Sequence, residues 1–236
     1  MSKNRLQRLL HSVLGFETYL LLYSMFRIAR SNHYEPSFQH FLDMCPAKGN
    51  ILDIGANTGM TAVPLSRVTT GSVFAFEPID FNQRTLTKII GFFQCLNVKI
   101  IEAAVGQYED IITMVVPLEE GVKKQGLCKV DDNNTVGEKQ RVKIITIDSL
   151  DFHDVTAIKI DVEGHEYEAL KGAWKTIARS KPLIYCELWN NSKRAYTIDM
   201  IEALGYSTFV YNEETKQLDP FINQAQWNFF FVPKTN

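Results

Sequence analysis

Short apolar runs alternate with segments of helical period along most of this chain. Ile51–Gly55 (ILDIG), Val73–Glu77 (VFAFE), Val98–Val105 (VKIIEAAV), Ala157–Val162 (AIKIDV) and Leu183–Leu188 (LIYCEL) read as buried strands. Between and after them Thr58–Arg67, Asn82–Phe93, Tyr167–Ala178 and Thr197–Leu204 repeat apolar residues at helical spacing, and Gly205 stops the last of these. Strands that alternate with helices need crossover connections, so the pattern predicts an α/β fold around a mostly parallel sheet covered on both faces. Two departures stand out. Ile111–Val116 and Val142–Ile147 flank a polar stretch from Glu119 to Gln140, read as a loop or irregular hairpin. Ser207–Tyr211 and Asn228–Val232 have no helix between them, which predicts an antiparallel pair at an edge.

Upstream of this pattern, Thr18–Phe26 (TYLLLYSMF) is strongly apolar, and Pro36 opens a helical stretch containing Phe38, Phe41 and Leu42. Glu17 interrupts the first run, and Arg27 and Arg30 close it well short of the ~18–20 apolar residues that a membrane span requires. The expectation is a core-packed or amphipathic helix of the mature protein, with contact at a membrane surface as the alternative. Residues 1–46 are thus set apart as an N-terminal helical extension, and 47–236 as one domain. The charge is nearly balanced, 25 Lys and Arg against 27 Asp and Glu, with no basic block, so a nucleic-acid partner is not expected. Cys45, Cys95, Cys128 and Cys186 form no C-x-x-C pair and read as reduced packing residues. A cytoplasmic protein, soluble or peripheral at the inner face of the membrane, fits that usage.

In doubly wound sheets ligands bind beyond the carboxyl ends of the strands, and here those ends are acidic: Asp53, Glu77, Asp161, Glu163 and Glu187. The first tip runs Asp53-Ile54-Gly55-Ala56-Asn57-Thr58-Gly59 directly into a helix, a turn that lets backbone approach a ligand closely. Glu77 follows Gly55 by 22 residues, close to the ~20 at which an acid meets ribose hydroxyls in nucleotide sites. A dinucleotide fingerprint would place glycine where this chain has Asn57, and a carboxylate at Asp53 would repel a pyrophosphate. S-adenosylmethionine, with its ammonium and sulfonium, suits an acidic wall better. An NAD-dependent oxidoreductase or epimerase is the alternative on the same sheet.

In Ile158–Glu166, strand alternation puts Lys159, Asp161 and Glu163 on one side. A lysine within an apolar strand needs a partner, and Asp53 or Asp161 can supply it, which is also the purely structural account of Lys159. His165 follows Gly164 beyond the tip, and an imidazole with a pKa of ~6.5 suits general-base work. An idle loop histidine is the simpler account.

Together and in this order, ILDIGANTG, FAFEP, AAVG, TIDSL and IKIDVEGHEYEALKGA resemble the FkbM family of S-adenosylmethionine-dependent methyltransferases, over about Asn50 to Glu187. The resemblance implies a Rossmann-like class I methyltransferase fold, a seven-stranded sheet with an antiparallel last strand. It also implies methyl transfer to a hydroxyl of a sugar, glycolipid or secondary metabolite. Asp53, Gly55, Ala56, Asn57 and Gly59 would then hold the methionyl part of the cofactor and Glu77 both ribose hydroxyls. Ala103 and Ala104 would flank the adenine, and Asp161 would line the cofactor and acceptor pocket. A base near Gly164 would take the acceptor's proton, His165 before Glu163 or Glu166, with Asp161 beside it. In a related group of methyltransferases a divalent ion is held after the fourth and fifth strands, which here points to Asp161, Glu187 and Asn190 as ligands for magnesium. Glu119–Gln140 and the N-terminal helix are the expected walls of the acceptor pocket, with Trp189, Asn190 and Asn191 placed to contact a sugar. A non-catalytic binding module acting through the helix before Asn32 is the remaining alternative, and the intact glycine loop and Glu77 speak against it.

Overall fold

A computed structural model describes residues 10–30, 35–119 and 122–234. In chain order the elements are α1 (Phe16–Ala29), α2 (Pro36–Met44), β1 (Asn50–Ile54), α3 (Ala62–Val68), β2 (Val73–Phe76), α4 (Asp80–Phe92) and β3 (Val98–Ile101). Then follow β4 (Ala104–Val105), β5 (Asp110–Glu119), β6 (Val122–Lys123), β7 (Lys129–Val130), β8 (Gly137–Ile145) and β9 (Val155–Ile160). The last are α5 (Glu166–Gly172), α6 (Trp174–Ser180), β10 (Leu183–Glu187), α7 (Ser192–Glu202), β11 (Tyr206–Asn212), β12 (Gln217–Pro220) and β13 (Asn228–Pro233).

The main sheet has the order β12-β11-β13-β10-β9-β1-β2-β3, parallel from β10 to β3. Order reverses beside β1, so the tips of β1, β2 and β9 open onto one crevice. β11 and β13 pair antiparallel as the pattern predicts, but β13 lies inside the sheet, inserted antiparallel against β10. The run Phe229, Phe230 and Phe231 is fully buried on both faces, and an unbroken apolar run is what an interior strand requires. The edge belongs to β12, an eighth strand with no apolar alternation in its sequence QLDP, which pairs only with β11.

The polar stretch carries a second sheet. β5 and β8 pair antiparallel from Asp110↔Ile144 to Pro117↔Gly137, with β4, β6 and β7 added to them. The expected strand Val98–Val105 is therefore divided between the two sheets. The helix expected over Tyr167–Ala178 is divided as well, at Ala173. Gly172 just before that break lies against Gly106; a Cβ there would stand 1.9 Å from the Gly106 carbonyl oxygen. That contact seats α5 on the AAVG turn.

α1 buries Leu20, Ser24 and Ile28 against the domain. Phe16 packs edge-on against Phe81, with centroids 5.1 Å apart, and Ser24 Oγ donates to Thr58 Oγ1 at 2.8 Å. Leu22 and Phe26 are exposed. Among the described residues no helix is long and apolar enough to cross a membrane.

Candidate active site

β1 delivers its tip into contact with that of β9. Gly55 has φ +83°, and a Cβ on it would lie 1.9 Å from Asp161 O, so no other residue fits. Two residues on, Asn57 adopts φ 49° and donates its backbone N–H to Glu77 Oε2 at 2.8 Å. Glu77 Oε1 accepts from Ile79 N at 2.9 Å and from Asn82 Nδ2 at 3.2 Å. The glutamate is 4% exposed. Burial pushes its carboxyl up to about 7, against the pull of the Ile79, Asn82 and Asn57 donors. Asn82 Oδ1 is buried with no partner.

Beneath the turn, Asp53 is wholly buried and accepts from Thr61 Oγ1 at 2.8 Å. Lys159, 3% exposed, places Nζ 3.6 Å from Asp53 Oδ1 and 3.7 Å from Asp161 Oδ2, and donates to Gly55 O at 3.0 Å. Burial works against the lysine's charge, but Asp161 and Asp53 outweigh it and hold its pKa above the ordinary value. Both partners foreseen for Lys159 are thus engaged.

Two cavities meet over this ion triad. The first, about 130 Å³, is lined by Gly55, Ala56 and Asn57, by Glu77 and Asn82, and by Ala103, Ala104 and Val105. Asp161, Glu163 and His165 complete one side, and Gln125, Gly126, Cys128 and Val130 roof it. The second, about 210 Å³, lies between Arg27 and Ile28 of α1, Phe38 of α2, and Tyr185, Glu187 and Asn228 at the strand ends. Met60, Thr61, Lys159 and Asp161 line both. Gly59 and Asp53 lie behind the walls, Gly59 against Leu86 and Ile89 of α4. The expected walls of an acceptor pocket separate accordingly. The N-terminal helix lines the second cavity, whereas the residues of Glu119–Gln140 line only the first.

His165 lines the first cavity and not the second. Its Nδ1 faces Glu168 Oε2 at 3.6 Å, while Nε2 is buried without a partner beside Gly106. Burial lowers its pKa, against the raising effect of Glu168. Glu163, at φ 54°, is pushed up to about 8 by burial and by the charges of Asp161 and Glu187. Glu166 is spent on its own loop, accepting from Gly164 N at 2.9 Å and Val162 N at 3.3 Å.

Of the residues expected to hold a metal, Asp161 and Glu187 both line the second cavity and Asn190 stands apart from them. Asn190 is exposed and lines neither cavity, and among the described residues no group of three His, Cys, Asp or Glu is placed to hold a metal ion. Trp189 and Asn191 also stand outside both cavities. Sequence reasoning missed Thr61 and Asn82, and placed Gln125–Val130, within Glu119–Gln140, on the acceptor pocket rather than over the first cavity. Thr61 and Asn82 lie eight and five residues beyond Asp53 and Glu77, within reach once each turn enters its helix. The roof has no such local signal.

The first cavity suits a nucleoside carrying positive charge. Glu77 lines it, and with Oε2 taking one donor and Oε1 two, the carboxylate has acceptor capacity left for the hydroxyls of a ribose. Glu77, Asp161 and Glu163 outnumber the single lysine on its walls. A methyltransferase FkbM from Methylobacillus flagellatus KT has a similar structure, with a TM-score of 0.55 at 17% identity. The match covers 79% of this chain and 44% of that one, so the chain spans less than half of its length. An S-adenosylmethionine-dependent O-methyltransferase from Thermotoga maritima matches at TM-score 0.47 and 15% identity, over 85% of this chain and 65% of that one. A precorrin-6y C5,15-methyltransferase from Geobacter metallireducens GS-15 matches at TM-score 0.47 and 13% identity, over 83% and 85%. No curated protein matches the sequence. The profile of the methyltransferase FkbM domain matches residues 53–223, most of the chain and every strand tip described above. With the class I methyltransferase topology of its sheet and this match, the chain belongs to the FkbM family of S-adenosylmethionine-dependent methyltransferases.

Proposed function

We propose that the chain is an O-methyltransferase whose first cavity takes S-adenosylmethionine and whose second takes the hydroxyl of a sugar, glycolipid or secondary metabolite. The observation that carries this is the wall of Met60, Thr61, Lys159 and Asp161 common to both cavities, the one place where two separately bound reactants would meet. Gly55, Ala56 and Asn57 would pass along the cofactor, Glu77, braced by Asn82, would hold its ribose, and Ala103 and Ala104 would flank its base. Asp53 and Gly59 would act through the turn they shape rather than by touching it. The bound cofactor supplies an electrophilic methyl group on a sulfonium.

The chain's contribution is then position and proton handling. Holding two reactants in one geometry removes most of the entropic barrier to their meeting. Asp161 faces both cavities, so its carboxylate takes the acceptor's hydroxyl proton, with Lys159 fixing it from 3.7 Å. This gives Asp161 the role that sequence spacing favoured for His165, because His165 stands only on the cofactor side. The N-terminal extension earns a function here: Arg27, Ile28 and Phe38 wall the acceptor side.

Oxygen as the methylated atom is tested by incubating the protein with S-adenosylmethionine carrying a ¹³C methyl and an extract of small molecules. The ¹³C chemical shift of the new methyl separates oxygen from nitrogen or sulfur attachment. An oxygen-bound methyl that requires Asp161 is the expected result. Nitrogen or sulfur attachment, or undiminished transfer by Asp161→Asn, removes the assignment.

A further inference from the structure

The outer face of α1 is used neither by the core nor by the cofactor cavity. Leu20, Ser24 and Ile28 turn into the domain, and by helical period the opposite side carries Leu22 and Phe26, one turn apart and 49% and 56% exposed. Val13 and Leu14, just before the helix, are exposed as well. An isolated exposed apolar residue needs no explanation, but this stripe is framed by rings and cations. Tyr19 and Tyr23 stack along its edge with centroids 5.9 Å apart. Arg27 Cζ lies 5.8 Å from the Tyr23 centroid, and its Nη1 donates to Tyr23 Oη at 3.0 Å. Arg30 Cζ stands 5.0 Å from the Phe26 centroid. The acid of the helix, Glu17, falls on the inward side by the same period and is paired with Arg84 at 2.6 Å.

Charge decides what such a face meets. Residues 1–30 carry five Lys and Arg against one Asp or Glu, whereas residues 31–236 carry 20 against 26. A two-fold dimer through this face would set its arginines against their own copies. An anionic lipid surface instead takes the arginines at its headgroups and the exposed rings and Leu22 at the boundary with the acyl chains.

We propose that the outer face of α1 docks on an anionic lipid surface and that the acceptor is therefore the lipid-borne one among the classes above, a glycolipid. The choice of acceptor rests on the reading of the second cavity; the docking does not. Arg27 joins the two, because it flanks the exposed stripe and also lines the second cavity, so that cavity borders the surface on which the helix rests.

The test is co-sedimentation of the whole chain with phosphatidylcholine vesicles, with and without phosphatidylglycerol. Binding to the anionic vesicles is expected to be about tenfold or more the stronger and to weaken with salt, each arginine at the surface adding roughly fivefold. Leu22→Gln with Phe26→Gln lowers that binding by about tenfold or more, because less apolar surface leaves water. Both side chains stand outside the core and the cavities, so the variant unfolds at the wild-type temperature. With labelled S-adenosylmethionine and a total lipid extract of the native organism in the vesicles, label is expected in the organic phase. A wild-type chain that ignores both vesicles, or a double variant that binds as well as wild type, overturns the docking. A concentration-dependent dimer that the double variant abolishes gives the face to a second copy of the chain. Vesicle binding with label only in water-soluble products overturns the choice of a glycolipid. Vesicle binding with label in no product leaves the docking in place and removes the reading of the second cavity.

Discussion

Replacing Lys159 with methionine is expected to lower the free energy of unfolding by about 3–5 kcal/mol, the range for stranding one charge of a buried ion pair. Asp53 is fully buried in β1, and among the described residues it has Thr61 Oγ1 as its hydrogen-bond donor and Lys159 as its paired cation. Without that cation the carboxyl meets the burial cost alone. The folded variant then takes up a proton on Asp53 at a pH where the unfolded chain is still ionised. A carboxyl with a raised folded pKa destabilises above that pKa and is relieved below it, so the deficit relative to wild type shrinks as pH falls. Asp53→Asn added to Lys159→Met recovers part of the loss at neutral pH. Chemical denaturation at several pH values measures all three. A deficit that is independent of pH would mean that the lysine's packing, and not its charge, holds the strand tips together.

The second large effect is on ligand binding. Glu77→Gln keeps the volume of the side chain and removes its charge, and should weaken S-adenosylhomocysteine binding by about 3–6 kcal/mol, or 10²–10⁴-fold, if two ribose hydroxyls donate to the carboxylate. Wild-type affinity is expected to depend on pH for the same reason. With its carboxyl at about 7, the empty site carries a growing fraction of protonated Glu77 as pH falls below neutrality. Hydroxyl donors favour the ionised form, so each unit below pH 7 costs up to about tenfold in affinity, and the dependence levels off above pH 8. Calorimetric titrations between pH 5.5 and 8.5 give the profile, and Glu77→Gln should flatten it. A flat wild-type profile would assign the ribose to another group.

The strand tips were legible because their chemistry is local. Asp53, Gly55, Asn57 and Glu77 are held in one or two turns of chain, and the engagement of Lys159 follows from strand alternation and the cost of a buried charge. Continuous runs are informative in the same way: NFFFVP carries the pattern of an interior strand, although its position between β10 and β11 depends on tertiary packing. What the sequence concealed is set by contacts between distant segments. β12 has no apolar side to declare it, being an edge strand held by its backbone to β11. The roof at Gln125–Val130 reaches the glycine loop only through the second sheet, where Asn57 Nδ2 meets Gln125 O at 3.5 Å. Asn190 lies three residues past Glu187, but the chain turns outward between them, and a carboxamide that spacing placed beside two carboxylates ends in solvent. His165 Nε2 lies beside Gly106, which packs against Gly172, so its surroundings come from two glycines far apart in sequence.

In the function proposed above, the cavity over the Gly55 turn takes S-adenosylmethionine and not a dinucleotide. Isothermal titration of the wild-type chain with S-adenosylhomocysteine, set beside the same titration with NAD, tests it most directly. Saturable binding of one S-adenosylhomocysteine per chain with no heat from NAD is the result predicted. Binding of NAD with none of S-adenosylhomocysteine would contradict the account at its foundation.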